Sequence, residues 1–337
     1  MALTLNTNVI VFLFMILGTW ASLAMSRTLH EAAMVEKHEQ WMVQHGRTYE
    51  DQAEKEMRFE IFKQNLEFIE NFNKAGNRSY SLSINQFSDL TDEEFLASHT
   101  GYKLIHAQSR ISTTSFSYEN QTEVPSSLNW REQGAVTDVK DQGSCGCCWA
   151  FSAVAAMEGI TKIKKGTLIS LSEQQLLDCS TNGNYGCNGG LMNNAFEYII
   201  DNQGLTSESN YEYQEMQGNC QTQMELVAQI QSYQKVPRNN EEALLQAVAK
   251  QPVSIAIDAS GIKSYSGGIF DGDCGTNLNH AVTIIGYGSE TDGTEFWLIK
   301  NSWGETWGED GYIKMKRNAD AAEGLCGLAM DASYPIA

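Results

Sequence analysis

Every cysteine of this chain lies in its later part: the eight run from Cys145 to Cys326, and none precedes them. Histidine is distributed the other way. His30, His38, His45, His99 and His106 come early, and only His280 follows. All four prolines stand at Pro125 or later. Cross-links and thiol chemistry are therefore confined to one portion of the chain, and an early portion must fold without either. The two meet between about Ala107 and Pro125, where residues 107–121 turn to Ser, Thr, Tyr and Gln without apolar period and read as a linker.

The chain has 337 residues, enough for two or three units at about 100–200 residues each. With 42 % hydrophobic and 19 % charged residues, wholesale disorder is excluded. A net charge of −19 excludes nucleic acid as a partner, because phosphate-backbone binding needs a basic excess. Val9 to Leu17 is an unbroken apolar run, followed by small residues through Ser22-Leu23-Ala24. That is a secretory leader over residues 1–24, too short for a spanning helix. Cleavage near Ala24 leaves a product with no membrane association, made in an oxidising compartment.

From Arg27 to about Asn73 the chain is charged, proline-free and helical in period. Glu54, Arg58, Phe62, Asn65, Ile69 and Asn73 recur three or four residues apart, so they share one helix stripe. A short strand is expected from Tyr80 to Phe87. Thr91 and Glu94 then form a capping-box pattern. Asn77 and Asn120 begin the chain's two N-x-S/T sequons and are glycosylation candidates.

Helices are expected over 148–162, over 171–179 with Ser172 as its cap, and over 190–202. After about Lys235 the period changes, and 253–259, 281–287, 295–299 and 312–316 read as strands. Helices first and strands later argue for an α+β fold in two lobes.

The densest chemical signal is Gln142-Gly-Ser-Cys-Gly-Cys-Cys-Trp-Ala-Phe. Adjacent Cys147 and Cys148 fit a four-ligand zinc site badly, and no histidine lies nearby, so no metal and no cofactor is expected. Cys148 instead falls in the first turn of a helix, where the dipole and a neighbouring imidazolium favour thiolate. The base must be His280, since the thiol-bearing part has no other histidine. Asn301, at the end of the next expected strand, supplies an amide to orient the ring.

On the cluster Gln142–Phe151 with His280 and Asn301-Ser302-Trp303, the chain resembles the papain family of cysteine endopeptidases, a spacing known from that family. Within it, the chain is most similar to the cathepsin L-like branch and to plant vacuolar or senescence-type enzymes. The resemblance implies a papain-like two-lobed fold: a helical lobe over about 124–235, a β-barrel-like lobe over about 236–337, and the active cleft between them. It implies an endopeptidase that acts through a Cys148–His280 thiolate–imidazolium pair and a thioester. Asn301 holds the ring, Trp303 shields that bond, and Gln142 with the Cys148 N–H forms the oxyanion hole. Gly190 would pair with extended substrate; Leu191, Met192, Leu278, Asn279 and Ala281 would line the substrate site, with Asp331 at the floor of the S2 pocket. The family's bridges would be Cys145–Cys187, Cys179–Cys220 and Cys274–Cys326, leaving Cys147, where serine is usual, unpaired.

The same resemblance makes residues 25–123 an inhibitory propeptide and 124–337 the mature enzyme. The Glu54–Asn73 stripe matches the interrupted helix motif of the branch. Asn85, Phe87 and Asp89 match its second motif, with Ser83 standing where glycine is usual. The propeptide would cross the cleft in reverse direction, held by Asp89 and the acids at 92–94, and would be released at acid pH. Partners are then protein and peptide substrates, the chain's own propeptide and cystatin-like inhibitors, acting on a monomer. The compartment would be a vacuole- or lysosome-like one or the cell exterior. The alternative is a catalytically silent storage or defence protein on the same fold, or a released propeptide that acts as an inhibitor itself.

Overall fold

The computed structural model describes residues 31–103, 116–119 and 124–337. The leader with its cleavage point, most of the linker, the sequon at Asn120 and the expected boundary at residue 123 lie outside the described residues. The chain forms two compact units, one through Phe68 and one from Ile69 to Ala337.

The first unit contains helix α1, described over residues 31–44, and most of α2, Gln52–Lys74. Asp51 starts α2 by accepting the Glu54 N–H at 2.8 Å. Phe62, Leu66, Met34 and Trp41 are all buried, and the Trp41 and Phe62 rings lie 5.3 Å apart. His38 is buried among rings, its centroid 5.8 Å from Trp41 and 5.0 Å from Phe62. On the motif stripe Arg58 faces Glu54 at 3.9 Å, a half-exposed pair that contributes little stability.

The second unit begins with the end of α2. Asn73 closes the turn that follows, donating to the Leu82 carbonyl at 2.7 Å and accepting the Leu82 N–H at 3.1 Å. Strand β1, Tyr80–Leu82, is shorter than expected. The chain leaves it because Asn85 turns inward, where its side chain takes the Phe87 N–H and donates to the Lys263 carbonyl. Helix α3, Asp92–His99, has the complete capping box of Thr91 and Glu94.

In the later part, β2 is Leu128–Asn129, and helix α4, Cys148–Lys165, is buried on nearly every side. Gly166 ends α4 in the left-handed region at φ 79°. Helices α5, Glu173–Cys179, and α6, Met192–Asp201, pack on α4 with an apolar cluster between them. Ser172 caps α5 through the Gln175 N–H. Helix α6 begins two residues later than expected, because Gly190 is extended and bridges Tyr102.

The rest is β3 Ser232–Lys235, α7 Glu241–Val248, β4 Val253–Ile257, β5 Tyr265–Phe270, β6 His280–Ser289, β7 Glu295–Lys300, β8 Tyr312–Lys316 and β9 Ala332–Ile336. The sheet runs β1-β5-β8-β7-β6-β4-β9-β3, with β2 on β6. The mixed α+β architecture is therefore as expected, but the barrel-like lobe is an open sheet: among the described residues β5 and β3 do not pair with each other, and β1, from the expected propeptide, adds to the β5 edge. The lobes also trade segments across residue 235: β2 joins the sheet through β6, and β3 joins it through β9. Helix α7 and strands β2, β3, β5 and β9 were not expected. Glycine-rich β5 and polar β3 show little period-2 signal.

Candidate active site

Two elements carry the candidate pair. Helix α4 sets Cys148 at its N-terminus, and β6 sets His280 at its start. Both side chains are fully buried. The Ala281 N–H donates to Cys148 Sγ at 3.3 Å, which brings the thiol beside the histidine backbone. His280 Nε2 donates to Asn301 Oδ1 at 2.8 Å, and the ring stacks on Trp303 at 4.4 Å. That bond places the remaining proton site at Nδ1, which is buried and has no hydrogen-bond partner among the described residues. A neutral ring so held can take a proton at Nδ1 and give it back.

Ser302 ties Asn301 to the neighbouring Gln142 amide. Its N–H donates to Asn301 Oδ1 at 2.9 Å, and its hydroxyl donates to Gln142 Oε1 at 2.6 Å. The Gln142 amide nitrogen is thereby aimed at the cleft, donating to the Cys145 carbonyl at 2.9 Å and to the His99 carbonyl at 3.2 Å. On the other side, Tyr213 donates to the Gln142 backbone carbonyl at 2.7 Å, with Cys147 Sγ 3.0 Å from its hydroxyl. Ser302 and Tyr213 were not singled out from sequence. Ser302 sits inside the Asn-Ser-Trp motif, whereas Tyr213 is remote from every motif and left no signal.

The segment after α3 covers this site. The Gly101 and Tyr102 N–H groups both donate to the Asn279 carbonyl, at 3.0 and 2.9 Å. Gly190 donates to the Gly101 carbonyl at 2.9 Å, and Tyr102 bridges Gly190 in parallel sense. The His99 carbonyl takes bonds from Gln142 and, at 3.0 Å, from Trp303 Nε1. Tyr102 is buried in the apolar cluster that contains Leu191, Met192, Leu278 and Ala281, and its hydroxyl donates to Asp331 Oδ2 at 2.7 Å. Residues 99–102 thus contact Gln142, Gly190, Asn279, Trp303 and Asp331.

Burial under this cover controls charge. It pushes the Cys148 thiol up to about 11, against the opposing N–H groups of Ala281, Gly101, Trp149 and Tyr102. It pushes His280 down to about 4, with the Asn301 bond opposing and nearby His99 reinforcing. Both groups are neutral across the physiological range in the covered state. Cys147, buried against Tyr213, is pushed far above the usual thiol range, which disfavours its thiolate.

Of the acids expected to hold the covering segment, Asp92 pairs with Lys263 at 2.6 Å, and Glu94 serves the α3 cap. Asp89 is buried. The disulfides are Cys145–Cys187, Cys179–Cys220 and Cys274–Cys326, with Cys147 and Cys148 free.

Comparison with known proteins agrees with this geometry. Residues 124–336 match the papain family cysteine protease model, and residues 38–95 match the cathepsin propeptide inhibitor domain (I29). The chain is 52 % identical over 334 residues to the senescence-specific cysteine protease SAG39 of Oryza sativa subsp. indica, covering 96 % of this chain and 98 % of that one. It is 50 % identical to the senescence-specific cysteine protease SAG12 of Arabidopsis thaliana, covering 93 % and 94 %. Among solved structures, a recombinant stem bromelain precursor superposes with a TM-score of 0.83 at 47 % identity, covering 90 % of this chain and 99 % of that one. A thiol at a helix start, an amide-held imidazole and an inhibitor segment across both are thus joined to these matches: the chain belongs to the papain family of cysteine proteases, hydrolases made here with their own propeptide inhibitor domain.

Proposed function

We propose that Cys148 and His280 are the nucleophile and acid–base of this protease, with Asn301 orienting the ring and Gln142 donating to the oxyanion. The observation that carries this is the His280–Asn301 bond, which leaves Nδ1 for the thiol side. Once uncovered, the pair ionises: Nδ1 takes the thiol proton, and the thiolate attacks the scissile carbonyl. The imidazolium then protonates the leaving amine, and water, deprotonated by neutral His280, hydrolyses the thioester. Trp303 shields the ring, and Gly190 and Asn279 present backbone to an extended peptide, as they do to residues 101–103.

Residues 1–24 serve as leader, 25–123 as propeptide and 124–337 as enzyme. Three disulfides and the plant protease relatives support passage through the secretory pathway, to an acidic vacuole or the cell exterior. The enzyme acts as a monomer, open to cystatin-like inhibitors once the cleft is free, and Asn77 accepts a glycan on the exposed turn before β1.

Release is favoured by acid. A buried His280 near 4 binds fewer protons than an uncovered one near 6.5. By linkage the closed precursor loses stability as pH falls from about 6.5 towards 4 and keeps it above that window. The test is labelling of Cys148 by a thiol-directed epoxide, mapped by peptide mass. The precursor should stay unlabelled at pH 7.5 and become labelled with an apparent midpoint between 4 and 6.5. Absence of label after acid treatment would leave the silent storage-protein reading.

Substrate choice follows from Tyr102. An aromatic side chain fills the pocket and gives its hydroxyl to Asp331, while Lys235 lies 3.9 Å from the same carboxylate and competes with any guanidinium. Peptides with Tyr at P2 should be cleaved about three to ten times faster than those with Phe, the value of one hydrogen bond to a charged group near the surface. Asp331→Ala should bring that ratio near one. An unchanged ratio in the variant would remove Asp331 from specificity.

A further inference from the structure

The loop between Tyr211 and Cys220 contains a residue in a conformation that disfavours side chains: Glu215 has φ 56°. Two glycines in facing segments make room for this loop. A Cβ on Gly143 would lie 2.5, 2.6 and 2.8 Å from the Glu215 carboxyl carbon and its two oxygens, and a Cβ on Gly186 would run into the Gln217 side chain. The Glu215 carboxylate therefore rests on the Cα of the residue that follows Gln142. Its own carbonyl oxygen lies 4.0 Å from Cys187 Sγ. The carboxylate is exposed and has no hydrogen bond or ion pair among the described residues.

Those two neighbours locate it with respect to substrate. On the reading proposed above, on which this inference rests, the scissile carbonyl sits between Gln142 Nε2 and the Cys148 N–H. The acyl side of the peptide then runs towards Gly190 and the pocket filled by Tyr102. Residues 187–190 are the wall of that acyl side; Glu215 meets the first residue of that wall through its backbone carbonyl and lies against Gly143, the neighbour of the oxyanion donor, through its carboxylate. The side chain nearest this place belongs to the residue whose carbonyl is attacked, P1. Asp141, whose Oδ1 is held by the Gly143 N–H at 2.9 Å, adds a second negative charge beside it. In the precursor Gly101 passes over Gly146, where a Cβ would overlap the Gly146 carbonyl oxygen, so the inhibitor offers Glu215 no side chain from that position.

We propose that Glu215 is a specificity-determining residue that selects Arg or Lys at P1 by pairing with the cationic end of the side chain. The pair is solvent-exposed, so its effect is modest and falls with salt. The test uses acid-activated full-length protein, with active sites counted by epoxide labelling, and peptides that differ only in Arg or citrulline at P1. The wild type should favour Arg about three- to fivefold in kcat/KM at low ionic strength, and less at high salt. Glu215→Gln should bring the ratio near one. Glu215→Gly should do the same while raising Tm, because glycine adopts the left-handed backbone freely; this variant separates lost charge from lost folding. A ratio of one in the wild type, or one unchanged in both variants, overturns the proposal. Failure of labelling would instead overturn the catalytic reading on which it rests.

Discussion

Gly101→Ala should convert the precursor from a closed zymogen into a protein whose Cys148 reacts with a thiol-directed epoxide at neutral pH. The reason is steric and local. A Cβ on Gly101 would overlap the backbone carbonyl of Gly146 and lie within 3 Å of its Cα, and a backbone that carries the site cannot rotate aside as a side chain would. The covering strand must lift, and four backbone bonds go with it: Gly101 and Tyr102 to Asn279, Gly190 to Gly101, and Lys103 to Gly190. At about 1 kcal/mol each net, their loss should speed labelling of the intact precursor by about a thousandfold at pH 7.5. Lifting also returns water to Cys148 and His280 and removes the burial that holds both neutral. The acid requirement for labelling should weaken in parallel. Labelling no faster than wild type would mean that the strand is held from elsewhere, with Asp92–Lys263 and the Asn85 turn as the remaining anchors.

That dependence on a single glycine also marks the limit of what could be read from the chain alone. Cys148 at a helix start, a solitary later histidine and Asn301 at a strand end are local facts, and local periodicity found α4, α5 and β8 closely. The capping box of α3 was equally plain, because Thr91 and Glu94 are three residues apart and the motif is complete within one turn. Residues that work across the cleft left no such trace. Gly101, Tyr102 and His99 matter through partners at Gly146, Asp331 and Gln142, and Tyr213 acts on Gln142 from far along the chain. The sheet was misjudged for a related reason. Strand β3 is polar, and β5 is rich in glycine and pairs in parallel with β8 and antiparallel with β1. Neither stands out in a pattern of alternating burial, so the path that leaves the sheet open was invisible until the pairings were known.

Gln142→Ala should lower kcat/KM by a factor of about 10² to 10³, mostly in kcat, because an oxyanion donor acts on charge that exists only in the transition state. In the closed precursor the side chain is fully buried, and on the enzyme side it is held between Ser302 and the Cys145 carbonyl. Its oxygen is fixed by the Ser302 hydroxyl, so its nitrogen already points at the cleft before substrate arrives. The difficulty is that alanine also strips partners from Ser302 and from the Cys145 carbonyl, and buried orphans of that kind cost about 1–3 kcal/mol of stability. Ser302→Ala separates the two effects, since it breaks the same buried bond but leaves the amide donor in the chain. It should lower Tm comparably while costing at most about tenfold in kcat. Equal losses of kcat in the two variants would mean that Gln142 matters for holding the cleft together and not for the oxyanion. A large loss confined to Gln142→Ala, in protein whose Cys148 still labels with epoxide, is what a donor aimed at developing charge requires.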